Sequence, residues 1–249
     1  MRKYLLAMLA ASTLSLSAHA EMVANFTFDG TTADTVSGEE TTIRHLNANT
    51  SGFVTDRHGR EQSAMNFSNT ALFFSQPDIL TLSQYTVSTW LKFDENANAQ
   101  SRHYLFDSRN SSTSILFYDF GSSHRFGTSS TGRSEGGLNL DDGEWHYVAI
   151  SSGSGQGTTL YLDGQLIGNI EEATTLSLNG LTLGNYSNNS TGYDLHGAMD
   201  DFQIYDVAMD AQSISQQYAR QSSDVGIPLY GMSALLLGGL MLCSRKPQN

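Results

Sequence analysis

The sequence predicts an all-β protein, folded as an antiparallel sandwich of the jelly-roll type, and three observations lead to this prediction. Short runs in which apolar and polar residues alternate recur along most of the chain. Clusters of Ser, Thr, Asn and Gly separate these runs, and the 249 residues include 23 glycines but only 3 prolines. Asp-Gly dipeptides stand between neighbouring runs. Short strands separated by turn residues are typical of β-sandwiches and jelly rolls.

Alternation predicts eleven strands, and one hairpin among them is the clearest local feature. Asp163-Gly164 supplies the two positive-φ positions that a two-residue type I′ turn requires. The predicted strands are, in chain order, Ala24–Phe28, Ala64–Phe67, Leu72–Phe74, Thr86–Phe93, Tyr104–Asp107, Ser114–Tyr118, Trp145–Ser151, Thr159–Leu162, Gln165–Asn169, Leu181–Leu183 and Ala198–Tyr205. One helix is predicted after Asp210, which can cap it, with Ile214 and Tyr218 on one face.

Both ends of the chain carry hydrophobic segments that lie outside the predicted domain. Arg2 and Lys3 precede an apolar run that ends at Ala18-His19-Ala20, the pattern of a secretory signal and its cleavage site. A second apolar run contains no charge and precedes Arg245-Lys246, which favours a membrane helix with its tail in the cytoplasm. An uncleaved anchor and a buried soluble helix are the respective alternatives. The predicted division is a signal over 1–20, the domain over 21–220, a linker over 221–226, a transmembrane helix over 227–243 and a basic tail over 244–249.

The C-terminal segment resembles the PEP-CTERM sorting signals of Gram-negative bacteria, which combine a short motif, an apolar helix and a basic stop. Val225-Gly226-Ile227-Pro228 stands at the position of the motif, although it keeps only one of the expected prolines and lacks the glutamate. The resemblance implies an exported protein at the cell surface or envelope. A retained single-pass anchor and a cleaved tail are both compatible with it.

Charge and cysteine content exclude some classes of partner. Lys and Arg number 13 against 25 Asp and Glu, for a net charge of -12. Such an acidic chain is not expected to bind nucleic acid or anionic lipid. The single cysteine, Cys243, lies in the tail helix, so the exported part has no disulfide to stabilise it.

The sequence resembles the laminin-G-like jelly-roll domains of the concanavalin A-like superfamily. The stretch from Asp141 to Ile150 and the hairpin that follows it are similar to signature strands of that family. Six further pieces occur in the family's order: Phe26–Gly30, Ala33–Gly38, Gly59–Phe67, Tyr85–Leu91, Leu195–Tyr205 and the helix after Asp210. The resemblance implies a two-layered sandwich whose first and last strands pair.

A calcium site is predicted at the end of these two strands. If Phe202 and Ile204 point into the core, alternation directs Asp200 inward as well, and a buried carboxylate needs a partner. The resemblance places Asp29 beside it and implies calcium there. Asp34 and Asp201 are further candidate ligands. The alternative is that Asp200 accepts backbone N–H bonds and Asp29 caps a turn.

Ligand recognition is predicted from loop tyrosines and amides, because Trp90 and Trp145 fall on packing positions of the resembled family. The candidate ligand-binding residues are Asn185, Tyr186, Asn188 and Tyr193, with a plain surface loop as the alternative. Catalysis is not expected, because no strand presents two glutamates on one face and no nucleophile elbow occurs. The leading hypothesis is therefore a non-catalytic binding or adhesion module for an extracellular glycan or a surface protein. A structural envelope or matrix protein and a glycoside hydrolase are the alternatives.

Overall fold

A computed structural model describes residues 20–45, 52–75, 81–95, 97, 102–108, 115–120, 124–128, 132–186 and 193–223. The predicted signal, apart from Ala20, and the predicted transmembrane helix lie outside these residues. In the described part of the chain, no helix has the length and hydrophobicity needed to span a membrane.

The described chain consists of fifteen strands and one helix. These are β1 Met22–Phe26, β2 Thr42–His45, β3 Phe53–Val54, β4 Ala64–Asn66, β5 Thr70–Ser75, β6 Tyr85–Phe93, β7 Arg102–Asp107, β8 Ile115–Asp119, β9 Arg125–Thr128, β10 Gly132–Arg133, β11 His146–Gly153, β12 Gly157–Leu162, β13 Gln165–Ile170, β14 Asn179–Leu183, β15 Gly197–Tyr205 and α1 Ala211–Ser222. All eleven predicted strands are confirmed, with ends that differ by at most two residues. The prediction missed β2, β3, β9 and β10, which have four residues or fewer.

The strands form two antiparallel sheets, which confirms the jelly-roll sandwich. The first sheet has the order β13-β12-β11-β6-β15-β4-β3, and β1 also pairs with β15. The second has the order β10-β9-β8-β7-β14-β5-β2. Pairing of β1 with β15 sets Phe26 opposite Phe202, so the first and last strands are neighbours as expected.

The core lies between the sheets and is rich in aromatic residues. Phe202 of the first sheet contacts Phe106 of the second, with ring centroids 6.0 Å apart. Phe26 contacts both Phe74 and Phe202, at 5.0 and 6.1 Å. Each such side chain removed from water contributes about 1.5–3 kcal/mol. Because the described residues contain no cysteine, this apolar packing is what stabilises the two layers.

The predicted hairpin joins β12 to β13 and has the expected turn. Asp163 and Gly164 have φ values of 48° and 74° and connect the paired residues Leu162 and Gln165. The Asp163 carboxylate accepts a hydrogen bond from Tyr147 N at 2.8 Å and also bonds Nδ1 of His146 at 2.8 Å. That bond, opposed by burial and assisted by Asp142, raises the pKa of His146.

Helix α1 covers the outer face of the first sheet. Asp210 caps it by accepting from Ser213 N at 2.8 Å, which confirms the predicted start. Buried Ile214 belongs to a small apolar cluster with Trp90 of β6, so the predicted packing role of this tryptophan is confirmed. The helix continues to Ser222, two residues into the predicted linker, because Gln221 accepts a hydrogen bond from Trp90 Nε1 at 2.8 Å.

Candidate functional site

The candidate site lies on the outer face of the second sheet, at the edge formed by β7, β8, β9 and β10. Directly paired residues in antiparallel strands project to the same face of a sheet. Tyr104 pairs with Phe117, Phe117 with Gly127, and Gly127 with Arg133. One row of side chains thus crosses four neighbouring strands at this edge.

A second row lies two residues away and carries most of the charge. Arg102 of β7 pairs with Asp119 of β8, which in turn pairs with Arg125 of β9. Because successive side chains alternate between faces, positions two apart lie on the same face. Arg102 Nη2 forms an ion pair with Asp119 Oδ2 at 3.3 Å. We refer to Arg102, Arg125 and Arg133 as the arginine group.

Phe117 links the two rows. Its ring is 1% exposed, and the guanidinium carbons of Arg102 and Arg133 lie 4.5 and 5.0 Å from its centroid. Gly127 makes room for the ring, because a Cβ at that position would lie 2.3 Å from Phe117 Cζ. Cation–π contacts of this kind orient the planar guanidinium groups while leaving their N–H donors available at the edges.

Tyrosines adjoin these rows at the β7 side. The ring centroid of Tyr104 lies 5.0 Å from that of Tyr186 and 5.8 Å from that of Tyr193. The ring centroids of Tyr186 and Tyr193 lie 5.5 Å apart. Tyr193 is 41% exposed, whereas Tyr104 is buried and supports the other two. We refer to Tyr104, Phe117, Tyr186 and Tyr193 as the aromatic cluster.

The structure therefore brings two of the four predicted ligand-binding residues together. Tyr186 and Tyr193 are in contact although six residues separate them in sequence. Asn185 is fully buried beneath this region, so its amide is not at the surface. Asn188 lies outside the described residues.

Electrostatics make the edge of β7 to β10 locally basic in an acidic chain. The pKa of Arg133 is lowered, first by burial and then by the nearby charges of Arg102 and Arg125. Asp119 is the acidic residue that acts against these effects. The arrangement combines aromatic surfaces with several guanidinium donors, which suits a polar ligand that also has an apolar face.

The predicted calcium ligands lie elsewhere, on or beside β1 and β15 of the first sheet, and three of them contact arginines. Arg57 donates to Asp200 and, at 2.8 Å, to Asp201. Arg60 lies 3.9 Å from the half-exposed carboxylate of Asp29. The sequence contains no Lys or Arg close to Asp200, but the chain between β3 and β4 brings Arg57 to it from 143 residues away.

The orientation predicted for Asp200 is wrong, although its burial is confirmed. Asp200 pairs with Trp90, whose side chain lies on the outer face, whereas Phe202 lies in the main core. A bulge between Asp200 and Gln203 interrupts the alternation, and Asp201 has a φ of 49° within it. An extra residue in one strand makes the side chains on its two sides point to opposite faces of the sheet from those expected by alternation.

The four acidic residues do not fit a calcium site as predicted. The carboxylate oxygens of Asp34 accept hydrogen bonds from the backbone N–H groups of Val36 and Ser37 in its own turn and of Asn25 in β1. Asp200 and Asp201 share a guanidinium group, which would repel a divalent cation. Within the described ranges, no group of three or more His, Cys, Asp or Glu residues could hold a metal ion.

This architecture is that of a known family. A family model described as the concanavalin A-like lectin/glucanases superfamily matches residues 66–215, which is more than half of the chain. The chain belongs to the concanavalin A-like lectin/glucanase superfamily. The match includes β5 to β15 and so contains both rows of the candidate site. No curated protein sequence matches the chain significantly.

Solved structures share the fold of this superfamily member, at sequence identities that show the fold alone. Domain 4 of AbnA, a GH43 extracellular arabinanase from Geobacillus stearothermophilus in complex with arabinotriose, is 15% identical with a TM-score of 0.60, over 80% of this chain and 98% of that one. The binding domain of Paraclostridial Mosquitocidal Protein 1 is 13% identical with a TM-score of 0.58, over 79% and 51%. The binding domain of Botulinum Neurotoxin DC in complex with SialylT is 14% identical with a TM-score of 0.58, over 80% and 50%. The chain thus spans about half the length of the toxin domains.

The sequence analysis of this superfamily member missed the arginines at the candidate site and the arginine that contacts Asp200. Arg125 and Arg133 lie on the short strands β9 and β10, which were not predicted, so their common face could not be inferred. A signal was nevertheless present: Arg125-Phe126-Gly127-Thr128 has the alternation of a short strand. Arg57 lies between β3 and β4, and its contact with Asp200 carries no local signal.

Proposed function

We propose that this protein is a non-catalytic carbohydrate-binding module of the cell envelope. The observation that carries the proposal is the aromatic cluster, with Tyr193 exposed, beside the arginine group on the outer face of the second sheet. The exposed ring of Tyr193 and the neighbouring ring of Tyr186 offer an apolar surface, and the guanidinium groups offer directed donors.

Sugars match such a surface for a simple physical reason. A pyranose ring has an apolar face of C–H groups and a rim of hydroxyl groups, so it binds best where an aromatic ring adjoins hydrogen-bond donors and acceptors. Tyrosine meets both needs, because its ring is apolar and its hydroxyl group is polar. Tyr104 lies beneath Tyr186 and Tyr193, which limits their freedom before binding and so lowers the entropy cost of binding.

The structural neighbours support a binding role rather than catalysis. The titles of two of them name a glycan, arabinotriose and SialylT, and a third is the Botulinum neurotoxin DC binding domain in complex with rat synaptotagmin II. Glycoside hydrolysis needs two carboxyl groups that flank one bond. At the candidate site, Asp119 faces Arg102 in an ion pair, which holds it as a charge partner.

Export and anchoring extend the proposal beyond the domain. The segments predicted to direct export and to anchor the chain are residues 1–20 and 227–243. An anchored domain would present its sheet edge to glycans near the cell surface. The intact mass of the cell-associated protein would test both segments, since a mass that includes the tail supports a retained anchor and one that lacks it supports cleavage.

A glycan array tests the proposal, run with the wild-type domain and with Tyr186→Ala and Tyr193→Ala. We expect binding to a defined set of glycans, weakened about tenfold by loss of an exposed stacking tyrosine. Leu166→Ala is the matched control, because Leu166 is 53% exposed on β13 of the other sheet. Equal signals are expected in calcium and in EDTA, because arginines occupy the predicted metal position.

Two results would contradict the proposal. An array that is silent in both buffers would leave a structural envelope or matrix protein as the better hypothesis. Release of sugar from a polysaccharide panel would show that the protein is an enzyme.

A further inference from the structure

The arginine group carries more positive charge than the acidic residues paired with it in the described chain balance. Arg102 is paired with Asp119 at 3.3 Å. Arg125 forms no ion pair with any acid in the described part of the chain, and its buried Nε has no hydrogen-bond acceptor. Arg133 Nη1 donates to the Gly132 carbonyl, a neutral acceptor. Among the described residues, one carboxylate thus forms an ion pair with a group of three guanidinium groups.

Holding these charges together opposes folding unless something else compensates. Like charges at close range repel, and partial burial strengthens the repulsion because the local dielectric falls. The pKa of Arg133 is lowered accordingly. Burial is the largest cause of this lowering, and repulsion by Arg102 and Arg125 comes next. In a chain of net charge -12, a local excess of positive charge is not a general property of the surface.

The geometry of the site preorganises the guanidinium groups. Arg102 and Arg133 stack on the same Phe117 ring, and Gly127 provides the space that lets the ring lie across β9. A guanidinium group held flat presents its donors as a fork, which matches the two or three oxygens of a carboxylate or a sulfate. A side chain that is already oriented loses little freedom when the anion arrives.

We propose that the arginine group binds the acidic group of a charged glycan, a carboxylate or a sulfate ester, while the adjoining tyrosines contact the sugar ring. This inference rests on the proposed function and specifies its ligand class. The adjacency of the two sets on β7 and β8 supports it: Tyr104 and Arg102 lie two residues apart on one strand face, and Phe117 contacts both. An acidic group attached directly to a pyranose ring requires this proximity.

Isothermal titration with ligands that differ only in charge tests the inference. Trigalacturonate is compared with its methyl ester, which keeps the backbone and removes the charge, and dextran sulfate is compared with dextran. We expect the charged member of at least one pair to bind at least tenfold more tightly, and which pair shows the difference identifies carboxylate or sulfate. Raising the salt concentration should weaken that binding.

Variants assign the effect to the arginine group. Arg125→Gln and Arg133→Gln should each weaken binding of the charged ligand about tenfold and leave binding of the neutral ligand unchanged. Arg220→Gln is the matched control, because Arg220 is an exposed arginine on α1, which packs on the other sheet. A melting curve for each variant confirms that it is folded.

The possible failures are distinguishable. Equal affinity for charged and neutral ligands, with no effect of Arg125→Gln or Arg133→Gln, would overturn the inference and leave the proposed function in place. Absence of binding to every saccharide on the array and in the titrations would overturn the proposed function, and the inference with it.

Discussion

Replacing Arg57 by methionine should destabilise the domain strongly. Arg57 neutralises two carboxylates, Asp200 and Asp201, on the outer face of the first sheet. Its side chain is 9% exposed, and those of Asp200 and Asp201 are 1% and 21% exposed. Methionine keeps the length and apolar stem of the side chain, so the change removes mainly the charge and its hydrogen bonds. Arg57 also lies 4.9 Å from the Trp90 ring centroid, a contact that methionine partly retains.

The magnitude follows from the burial of Asp200. At about pH 8, where most of Asp200 is ionised, removing one partner of this buried ion pair costs about 3–5 kcal/mol. For a domain of this size each kcal/mol lowers Tm by about 2–4 °C, so the expected loss is roughly 6–20 °C. Arg57→Met/Asp200→Asn removes the stranded charge, and we expect it to be more stable than Arg57→Met by about 1–3 kcal/mol.

The pH dependence gives an independent check on the same pair. Burial, and then the neighbouring Asp201, raise the pKa of Asp200 to about 7. A carboxyl whose folded pKa lies above its unfolded value loses stability as pH rises between the two values. Without Arg57 the folded value is raised further, so the deficit of Arg57→Met should be larger at about pH 8 than at about pH 5.

Urea unfolding followed by circular dichroism measures these differences, with Arg60→Met as the control. Arg60 lies in the same segment, but its side chain is 55% exposed and its partner Asp56 also accepts backbone N–H bonds. We expect a loss of less than about 1 kcal/mol for Arg60→Met. The reasoning is refuted if Arg57→Met is as stable as Arg60→Met, or if adding Asp200→Asn restores nothing.

Two further changes test the site and the hairpin. Gly127→Ala should destabilise the domain by about 1–3 kcal/mol and weaken binding of the charged ligand, because the new Cβ would lie 2.3 Å from Phe117 Cζ. Urea unfolding measures the loss of stability, and titration measures the loss of binding. A loss of stability that persists in a Phe117→Ala background would argue against the steric cause. His146→Gln should lower the free energy of unfolding by about 1 kcal/mol at about pH 5.5 and by less at about pH 9. The hydrogen bond with Asp163 is the main cause of the raised pKa of His146 in the folded protein. The stabilisation that protonated His146 contributes is therefore complete below the unfolded pKa of 6.5 and disappears as pH rises through the folded pKa. An equal loss of unfolding free energy at both pH values would contradict this.

Local patterns were sufficient for the architecture. Alternation located all eleven predicted strands, and Asp163-Gly164 located a turn whose two residues have positive φ. Asp210 marked the start of α1 for an equally local reason, since its carboxylate accepts from a backbone N–H three residues away. Strand periodicity, turn conformation and helix capping depend on neighbours in sequence, so the amino-acid order alone predicts them.

The candidate site was predicted only in part, because its residues are brought together by sheet pairing. Tyr186 and Tyr193 were recognisable as loop tyrosines, but their contact with Tyr104 depends on the position of β7 beside β14. The arginine group needs the register of β7, β8, β9 and β10, in which Arg102, Asp119 and Arg125 fall opposite one another.

For Asp200, contacts between residues distant in sequence determine the orientation and the partner of the side chain. Its residue type and position predicted a buried acid that needs a partner, and that part is confirmed. The bulge at Asp201 turns the side chain to the outer face, where it contacts Arg57. Sequence patterns alone predicted eleven of the fifteen described strands, the Asp163-Gly164 turn and the start of the helix, because these features depend on interactions between residues that are adjacent in sequence. Long-range register determined which charges meet, because a one-residue bulge changes every contact beyond it while leaving the local pattern almost unaltered.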